Sequence, residues 1–191
     1  NVVFNWVHRS SDGGDYSAMF NMINNYYKPG PATSKSSTVG HRILKPESGL
    51  SRNNKKVYGR VYAAGNIMEG YPEITADNWN RGIQIETQDG TEGYTELMRT
   101  DKPFAMPYVR IISAQAAYNH VLDNVGANIP VRDIVDQRII QEVRSGEPYY
   151  DKKMAKEAKA NMWGLHDRSK NEEGTFKYRR MDNESYKLGI I

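Results

Sequence analysis

The sequence predicts an all-β fold: the terminal rungs of a right-handed parallel β-helix, followed by a C-terminal helical extension. An asparagine followed by two bulky apolar residues recurs at Asn1, Asn25 and Asn66, at spacings of 24 and 41 residues. Short strands and turns that repeat at such a period are typical of a solenoid, in which each rung buries its apolar face against its neighbours. A helical period begins only at Arg110, after the strand-like segments have ended.

The recurring asparagine has two interpretations. In a stack of rungs it would lie at a tight bend, because asparagine tolerates left-handed backbone angles and its amide can bond to the equivalent amide one rung away. We therefore expect Asn25 and Asn66 to stack. The alternative is that Asn-Asn and Pro-Gly-Pro are ordinary turn punctuation.

Composition limits the function only loosely. The chain has 191 residues, 38% hydrophobic and 26% charged, with a formal charge of +3. A chain of this size can bury a substantial core, and we expect one domain with an appendage. The net charge is too small to argue for nucleic acid. The absence of cysteine excludes disulfides and thiolate metal sites. No apolar run is long enough to span a membrane and no signal-peptide pattern is present. Because Asn1 leads directly into an apolar run, we expect the chain to begin inside an element.

The first 31 residues read as strand, loop and strand, with strands expected near 2–6 and 19–27. The loop between them combines His8, Arg9, Asp12 and Asp15 with two glycines. Arg9 and His8 could hold a carboxylate of an anionic ligand, with Arg9 supplying a bidentate fork. The alternative is a solvated turn that reverses the chain. The two aspartates resemble a calcium loop only faintly, because their spacing fits no known frame.

The next 25 residues, 32–56, form a polar loop of the kind that solenoids insert on one face. Its positive charge, carried in part by Lys45 and Arg52, fits either a binding wall or a solvated basic loop. Residues 57–68 then predict a third rung, and a last short strand is expected near 83–86. The β-helix rungs are therefore assigned to residues 1–109.

Two helices are predicted in the tail at 110–146, which we expect to pack on the β-helix. The first spans 114–125, with Ser113 as N-cap, and the second spans 132–144, with Gly146 after its end. Asp133 and Asp136 are paired carboxylates of the kind that acid and base catalysis uses, but arginines beside them favour a structural ion-pair lattice. A third helix is predicted over 152–162. His120 and His166 have no partner at ligand spacing and are interpreted as structural or surface histidines.

Several of these segments together resemble the pectate lyases of polysaccharide lyase family one, particularly those of gut Bacteroidetes type. The tail from Ser113 through Arg138 is similar to the helical tail of those proteins. Residues 147 to about 187 have no counterpart there, and residues 147–191 are assigned to a polar helical or loop insertion. The matching rung segments are Asn24-Asn25-Tyr26-Tyr27-Lys28-Pro29-Gly30-Pro31-Ala32-Thr33, Tyr62-Ala63-Ala64-Gly65-Asn66-Ile67-Met68-Glu69-Gly70 and Asp77-Asn78-Trp79.

The resemblance implies the C-terminal fragment of a secreted, periplasmic or cell-surface lyase that cleaves homogalacturonan by calcium-dependent β-elimination. The family's calcium-binding carboxylates and catalytic arginine segment precede the rung that matches here, so we assign no catalytic residue and no metal ligand to this chain. Its expected partners are an anionic polysaccharide and the missing N-terminal part of the same β-helix. The predicted substrate contacts are Arg9, His8 and Lys28. The alternative is a catalytically silent module that binds anionic polysaccharide or serves as a structural cap.

Overall fold

The computed structural model describes residues 1–85 and 94–148, which belong to one compact unit, Asn1–Tyr149. The third helix predicted at 152–162 and His166 lie outside the described residues. The strands are β1 (Val2–Phe4), β2 (Met19–Ile23), β3 (Tyr26–Lys28), β4 (Ser48–Leu50), β5 (Lys56–Tyr58), β6 (Arg60–Ala64) and β7 (Ile67–Met68). The helices are a 3-10 helix (Thr38–His41), α1 (Pro72–Ala76), α2 (Tyr94–Met98), α3 (Ala114–Asn124) and α4 (Ile134–Ser145).

The predicted class, an all-β right-handed parallel β-helix, is wrong. The described chain forms three small sheets of two or three strands, and it places more residues in helices than in strands. One of the three sheets, β4 with β5, is antiparallel. The fold is therefore a mixture of small sheets and short helices. The repeated asparagine carried information about which strands pair, but strands of two to five residues leave most of the chain to turns and helices.

The strand pairs that surround the repeated asparagines are parallel. β3 lies between β1 and β7, with Val3 opposite Tyr27 and Tyr27 opposite Met68. β2 pairs with β6 over five residues, from Met19 opposite Arg60 to Ile23 opposite Ala64. Parallel strands need a crossover connection, and the segment that joins β3 to β6 supplies one. It contains the 3-10 helix and the β4–β5 hairpin; the 3-10 helix and β4 lie within the predicted polar loop at 32–56, whereas β5 takes in the first two residues of the predicted third rung at 57–68.

The asparagines form a hydrogen-bonded ladder across these strands, as the sequence predicted for Asn25 and Asn66. Asn1 donates from Nδ2 to Asn25 Oδ1 at 2.8 Å, and Asn25 donates from Nδ2 to Asn66 Oδ1 at 2.8 Å. Asn66 in turn donates to Asn78 Oδ1 at 2.9 Å. The left-handed bend lies one residue earlier than expected, at Asn24 (φ 50°) and Gly65 (φ 67°).

The main core lies under these strands. Tyr27, Val61 and Met68 contribute from three strands and are at most 1% exposed. The ring of Trp6 meets that of Tyr27 edge to face, with centroids 6.2 Å apart. The other buried members of this cluster are Ile43, Leu44, Ile74 and Ile83. Because Ile43, Leu44 and Ile83 come from segments outside the strands, the core also fixes the loops that carry the candidate site.

The two tail helices begin and end close to where the sequence predicted them. Ser113 accepts a hydrogen bond from Ala116 N and caps α3, and Gly146 ends α4 in a left-handed conformation with φ 78°. Asp133, not an earlier residue, caps α4. Leu122, Ile140 and Val143 form a second buried cluster, on which Val2 and Phe4 of β1 pack. The helices therefore pack against β1 of the first sheet.

Candidate anion-binding site

A parallel backbone pairing brings two basic segments together on the surface. Leu44 pairs with Ile83, Ile43 N donates to Gly82 O at 2.8 Å, and Gln84 N donates to Leu44 O at 2.9 Å. Ile43 and Leu44 are fully buried and Ile83 is 4% exposed. The apolar side chains thus anchor both segments, and their polar neighbours extend into a shared cleft.

The side chain of Gln84 joins the two walls of this cleft. Its Oε1 accepts a hydrogen bond from Arg42 Nε at 2.6 Å, and its Nε2 donates to Thr38 O at 2.7 Å and to Arg81 O at 3.0 Å. One amide therefore holds the 3-10 helix and the Arg81 turn at fixed positions. A site held in this way needs little reordering when it binds a ligand.

The cleft has a volume of about 410 Å³ and a basic lining. Arg42, Lys45 and Arg81 contribute positive charge, and Arg81 is held by an ion pair with Glu73. Arg81 has a φ of 67°, a left-handed conformation that is uncommon for a residue with a side chain. The described lining therefore carries three basic side chains, one of which pairs with Glu73. The remaining lining residues are Thr38, His41, Gln84 and Ile85.

The pKa of His41 is lowered by burial and by this positive environment. Burial lowers the pKa of its imidazole, and the nearby Arg81 and Arg42 guanidinium groups lower it further, while Glu73 opposes them. The ring also packs against Tyr71, with centroids 5.4 Å apart. The free site therefore favours the neutral imidazole. An anion in the cleft would favour the protonated form instead.

Arg9 and His8 lie in an exposed loop outside this lining. Arg9 forms an ion pair with Asp12 at 3.0 Å, and its Nη2 lies 3.2 Å from His8 Nε2. Asp12 also accepts from Gly14 N, as expected for a self-contained turn. Ser10 Oγ donates to Arg42 O at 2.6 Å, so the loop does lie against the segment that carries Arg42. The predicted contact of Arg9 and His8 with substrate stays a prediction.

Lys28 has a structural environment. Its side chain is 12% exposed, and Nζ lies 3.9 Å from a Glu69 carboxylate oxygen and donates to Arg144 O at 3.3 Å. It also lies 5.9 Å from the centroid of the Tyr118 ring. These contacts join β3 to α3 and α4. The predicted role of Lys28 in substrate binding would require it to leave three existing contacts.

Asp133 and Asp136, at the start of α4, accept hydrogen bonds from backbone N–H groups. Asp133 accepts from Asp136 N at 2.8 Å, and Asp136 accepts from Ala127 N at 2.9 Å. The adjacent arginines do not form the expected lattice with them, because Arg132 donates to the carbonyls of Leu122 and Asp123 and Arg138 pairs with Glu142. His120 Nδ1 lies 3.3 Å from Asn124 Nδ2 on the same helix. These contacts indicate a structural role for the region.

Calcium has no candidate site among the described residues. Within 1–85 and 94–148 no group of three or more His, Cys, Asp or Glu side chains is placed to hold a metal ion. Asp15, one half of the faint calcium pattern, accepts from Ser17 N and Ser17 Oγ. The described residues therefore offer no set of ligands that fits calcium. In the same ranges, no helix has the length and apolarity needed to cross a membrane.

Sequence reasoning found only part of this cleft. It noted Lys45 as one charge of a basic loop, but it missed Arg42, Arg81 and Gln84. The separation of 42 residues between Arg42 and Gln84 hid their contact. The local signal was that basic residues flank short apolar segments, Arg42 and Lys45 on either side of Ile43-Leu44 and Arg81 shortly before Ile83.

Searches of protein-family models, curated proteins and solved structures found no match to this chain.

Proposed function

We propose that this chain binds an anionic polysaccharide of the homogalacturonan type and does so as the C-terminal part of a pectate lyase. The observation that carries the binding proposal is the basic cleft of Arg42, Lys45 and Arg81 around Gln84. The choice of polysaccharide rests on the sequence resemblance described above. In this proposal the chain supplies substrate contacts and a rigid frame, and the residues for bond cleavage lie elsewhere in the lyase.

The chemistry of the cleft suits a uronate. Arginine presents paired N–H groups that match the two oxygens of a carboxylate, and lysine adds a mobile point charge. Hydrogen bonds between charged groups contribute about 1.5–3 kcal/mol each, more than neutral ones. The cleft volume of about 410 Å³ falls in the range of about 300–1,000 Å³ typical of small-ligand sites. A polyanion carries a carboxylate on each sugar, so its local concentration at the cleft is high.

The binding proposal is tested with a charge-matched pair of double variants. Arg42→Gln with Lys45→Gln removes two positive charges from the cleft. Lys102→Gln with Arg110→Gln removes two positive charges from exposed positions outside it. We expect the first pair to weaken binding of oligogalacturonate at least about 10-fold, measured by calorimetry at fixed salt. The control pair should change it by less than about 3-fold.

Equal losses in the two double variants would show only a general attraction between a basic protein and a polyanion. Unchanged binding in the cleft variant would contradict the site itself. An Arg9→Ala variant, measured in the same series, tests the other predicted contact, because a charged hydrogen bond from Arg9 is expected to contribute about 1–3 kcal/mol.

The lyase part of the proposal has a separate readout. A longer protein that contains this chain should release unsaturated product from polygalacturonate with calcium, seen as ultraviolet absorbance of the conjugated uronate, while these 191 residues alone should not. Binding by the chain with no product from any longer form would favour the silent polysaccharide-binding module. Product from the isolated chain would contradict our placement of the catalytic residues.

A further inference from the structure

A second cleft, of about 440 Å³, lies between the turn at 15–17 and the end of the β4–β5 hairpin. None of its lining residues belongs to the basic cleft. It combines one aromatic ring, from Tyr16, with two apolar side chains, Leu50 and Val57, and several hydrogen-bonding groups, among them Asp15, Arg52 and Asn53. That mixture of an apolar platform with convergent polar groups is typical of ligand sites.

The ring of Tyr16 lies against the backbone of Gly49 in β4. A Cβ built on Gly49 would collide with three atoms of that ring, so Gly49 is what lets the ring lie directly against β4. Tyr16 is nevertheless 46% exposed, and the neighbouring Leu50 is 59% exposed. The ring therefore rests on the hairpin on one side and remains accessible to the cleft.

Hydrogen bonds fix both walls of this cleft. In one wall, Asp15 Oδ1 accepts from Ser17 N at 2.8 Å and from Ser17 Oγ at 3.0 Å. These bonds lower the pKa of the Asp15 carboxyl, the backbone N–H contributing most, so the group stays anionic and accepts hydrogen bonds near neutral pH. In the other wall, Ser51 N donates to Lys55 O at 2.8 Å and Lys55 N donates to Ser51 Oγ at 3.1 Å.

We infer that this cleft binds one pyranose ring of a saccharide, stacked on Tyr16 and hydrogen-bonded through its hydroxyls to Asp15, Arg52 and Asn53. A pyranose presents a face of C–H groups, which gains dispersion and burial energy against an aromatic ring. Its hydroxyls donate to a carboxylate and accept from guanidinium and amide groups. A neutral sugar satisfies this arrangement as well as a uronate, so the inference does not depend on the basic cleft.

The test uses the full 191-residue chain with two probes, neutral β-1,4-galactotriose and anionic trigalacturonate. Amide shifts in NMR titrations report the two clefts separately, through Ser17, Ser51 and Asn53 for this site and Thr38, Gln84 and Ile85 for the basic one. We expect the neutral probe to shift the first set and leave the second set unchanged. Shifts confined to the basic set with trigalacturonate, and no shift with the neutral probe, would overturn this inference and leave the proposed function standing.

Substitutions of Tyr16 decide whether the ring is the platform. Tyr16→Ala should weaken binding of galactotriose at least about 10-fold, and Tyr16→Phe, which keeps the ring, should stay within about 3-fold of the parent. Tyr108→Ala is the matched control, because Tyr108 is 95% exposed and lies outside the lining. Equal loss in Tyr16→Ala and Tyr108→Ala, or equal loss in Tyr16→Phe and Tyr16→Ala, would overturn the stacked arrangement.

Discussion

The side-chain amide of Asn25 donates a 2.8 Å hydrogen bond to Oδ1 of Asn66, 41 residues further along the chain. The same oxygen accepts a second bond, from Asn25 N at 2.9 Å. Asn66 is fully buried and also donates to Met22 O and Asn78 Oδ1. One amide thus satisfies polar groups on three segments of the chain, which makes it a critical position for stability.

We expect Asn66→Ala to lower the free energy of unfolding by about 3–5 kcal/mol. The substitution removes the oxygen that accepts from Asn25 and the amide N–H that donates to Met22 O, at about 1–3 kcal/mol for each residue left with an unsatisfied polar group. Urea denaturation followed by circular dichroism gives the difference. Asn128→Ala is the control, because exposed Asn128 donates only to Asn124 O. A loss at Asn66 no larger than that at Asn128 would contradict a stabilising role for the ladder.

Gly65 and Gly70 allow a paired test of the bend before Asn66. Both have left-handed backbones, with φ values of 67° and 83°. A Cβ on Gly65 would collide with Asn24 Oδ1, whereas a Cβ on Gly70 has nothing within 4 Å. Both alanine variants should lose about 1–2 kcal/mol from backbone strain. Gly65→Ala should lose at least about 1 kcal/mol more, because it displaces Asn24, and equal melting temperatures would refute that added effect.

His41 should make stability depend on pH below about 6.5, where an unfolded imidazole titrates. Because the folded pKa is lowered, chiefly by burial, the unfolded chain binds more protons between the folded pKa and about 6.5. Stability from this group is therefore present above about 6.5 and falls as the pH decreases. His41→Gln should lose less stability between pH 7 and 5 than the parent. His120→Gln controls for removal of a histidine, and equal pH slopes for the parent and His41→Gln would contradict the effect.

Tyr27 should produce the opposite dependence at alkaline pH. Burial raises the pKa of its phenol to about 12, against about 10 in an unfolded chain. The folded state therefore retains the proton longer, so its stability is intact below about pH 10 and declines as the pH rises toward 12. In urea titrations, the free energy of unfolding of Tyr27→Phe should decrease less steeply with pH over that range. Tyr108→Phe, which changes an exposed tyrosine, is the reference, and a parent-like slope in Tyr27→Phe would count against the prediction.

Local sequence signals located the helix ends, because neighbouring residues determine where a helix begins and ends. Ser113 and Gly146 mark helix ends because capping depends on the side chain or backbone freedom at one position. The asparagine spacing also indicated a long-range contact, because equivalent residues of paired strands carried the same motif. Periodicity could not show that β4, in a stretch predicted as loop, would pair antiparallel with β5 at the start of the predicted third rung. The error in fold class came from extending a real pairing pattern to the whole chain.

The sequence by itself determined the helix ends, the strand segments around the asparagines and the Asn25–Asn66 contact. Only the tertiary structure decided that Arg42 and Arg81 would share a cleft. It also decided that Lys28 would pair with Glu69 and donate a hydrogen bond to Arg144 O. The physical reason is that local propensity depends on neighbours within a few residues. The electrostatic environment of a side chain depends on which distant segments the core brings together. Here the buried Leu44–Ile83 pairing created that environment.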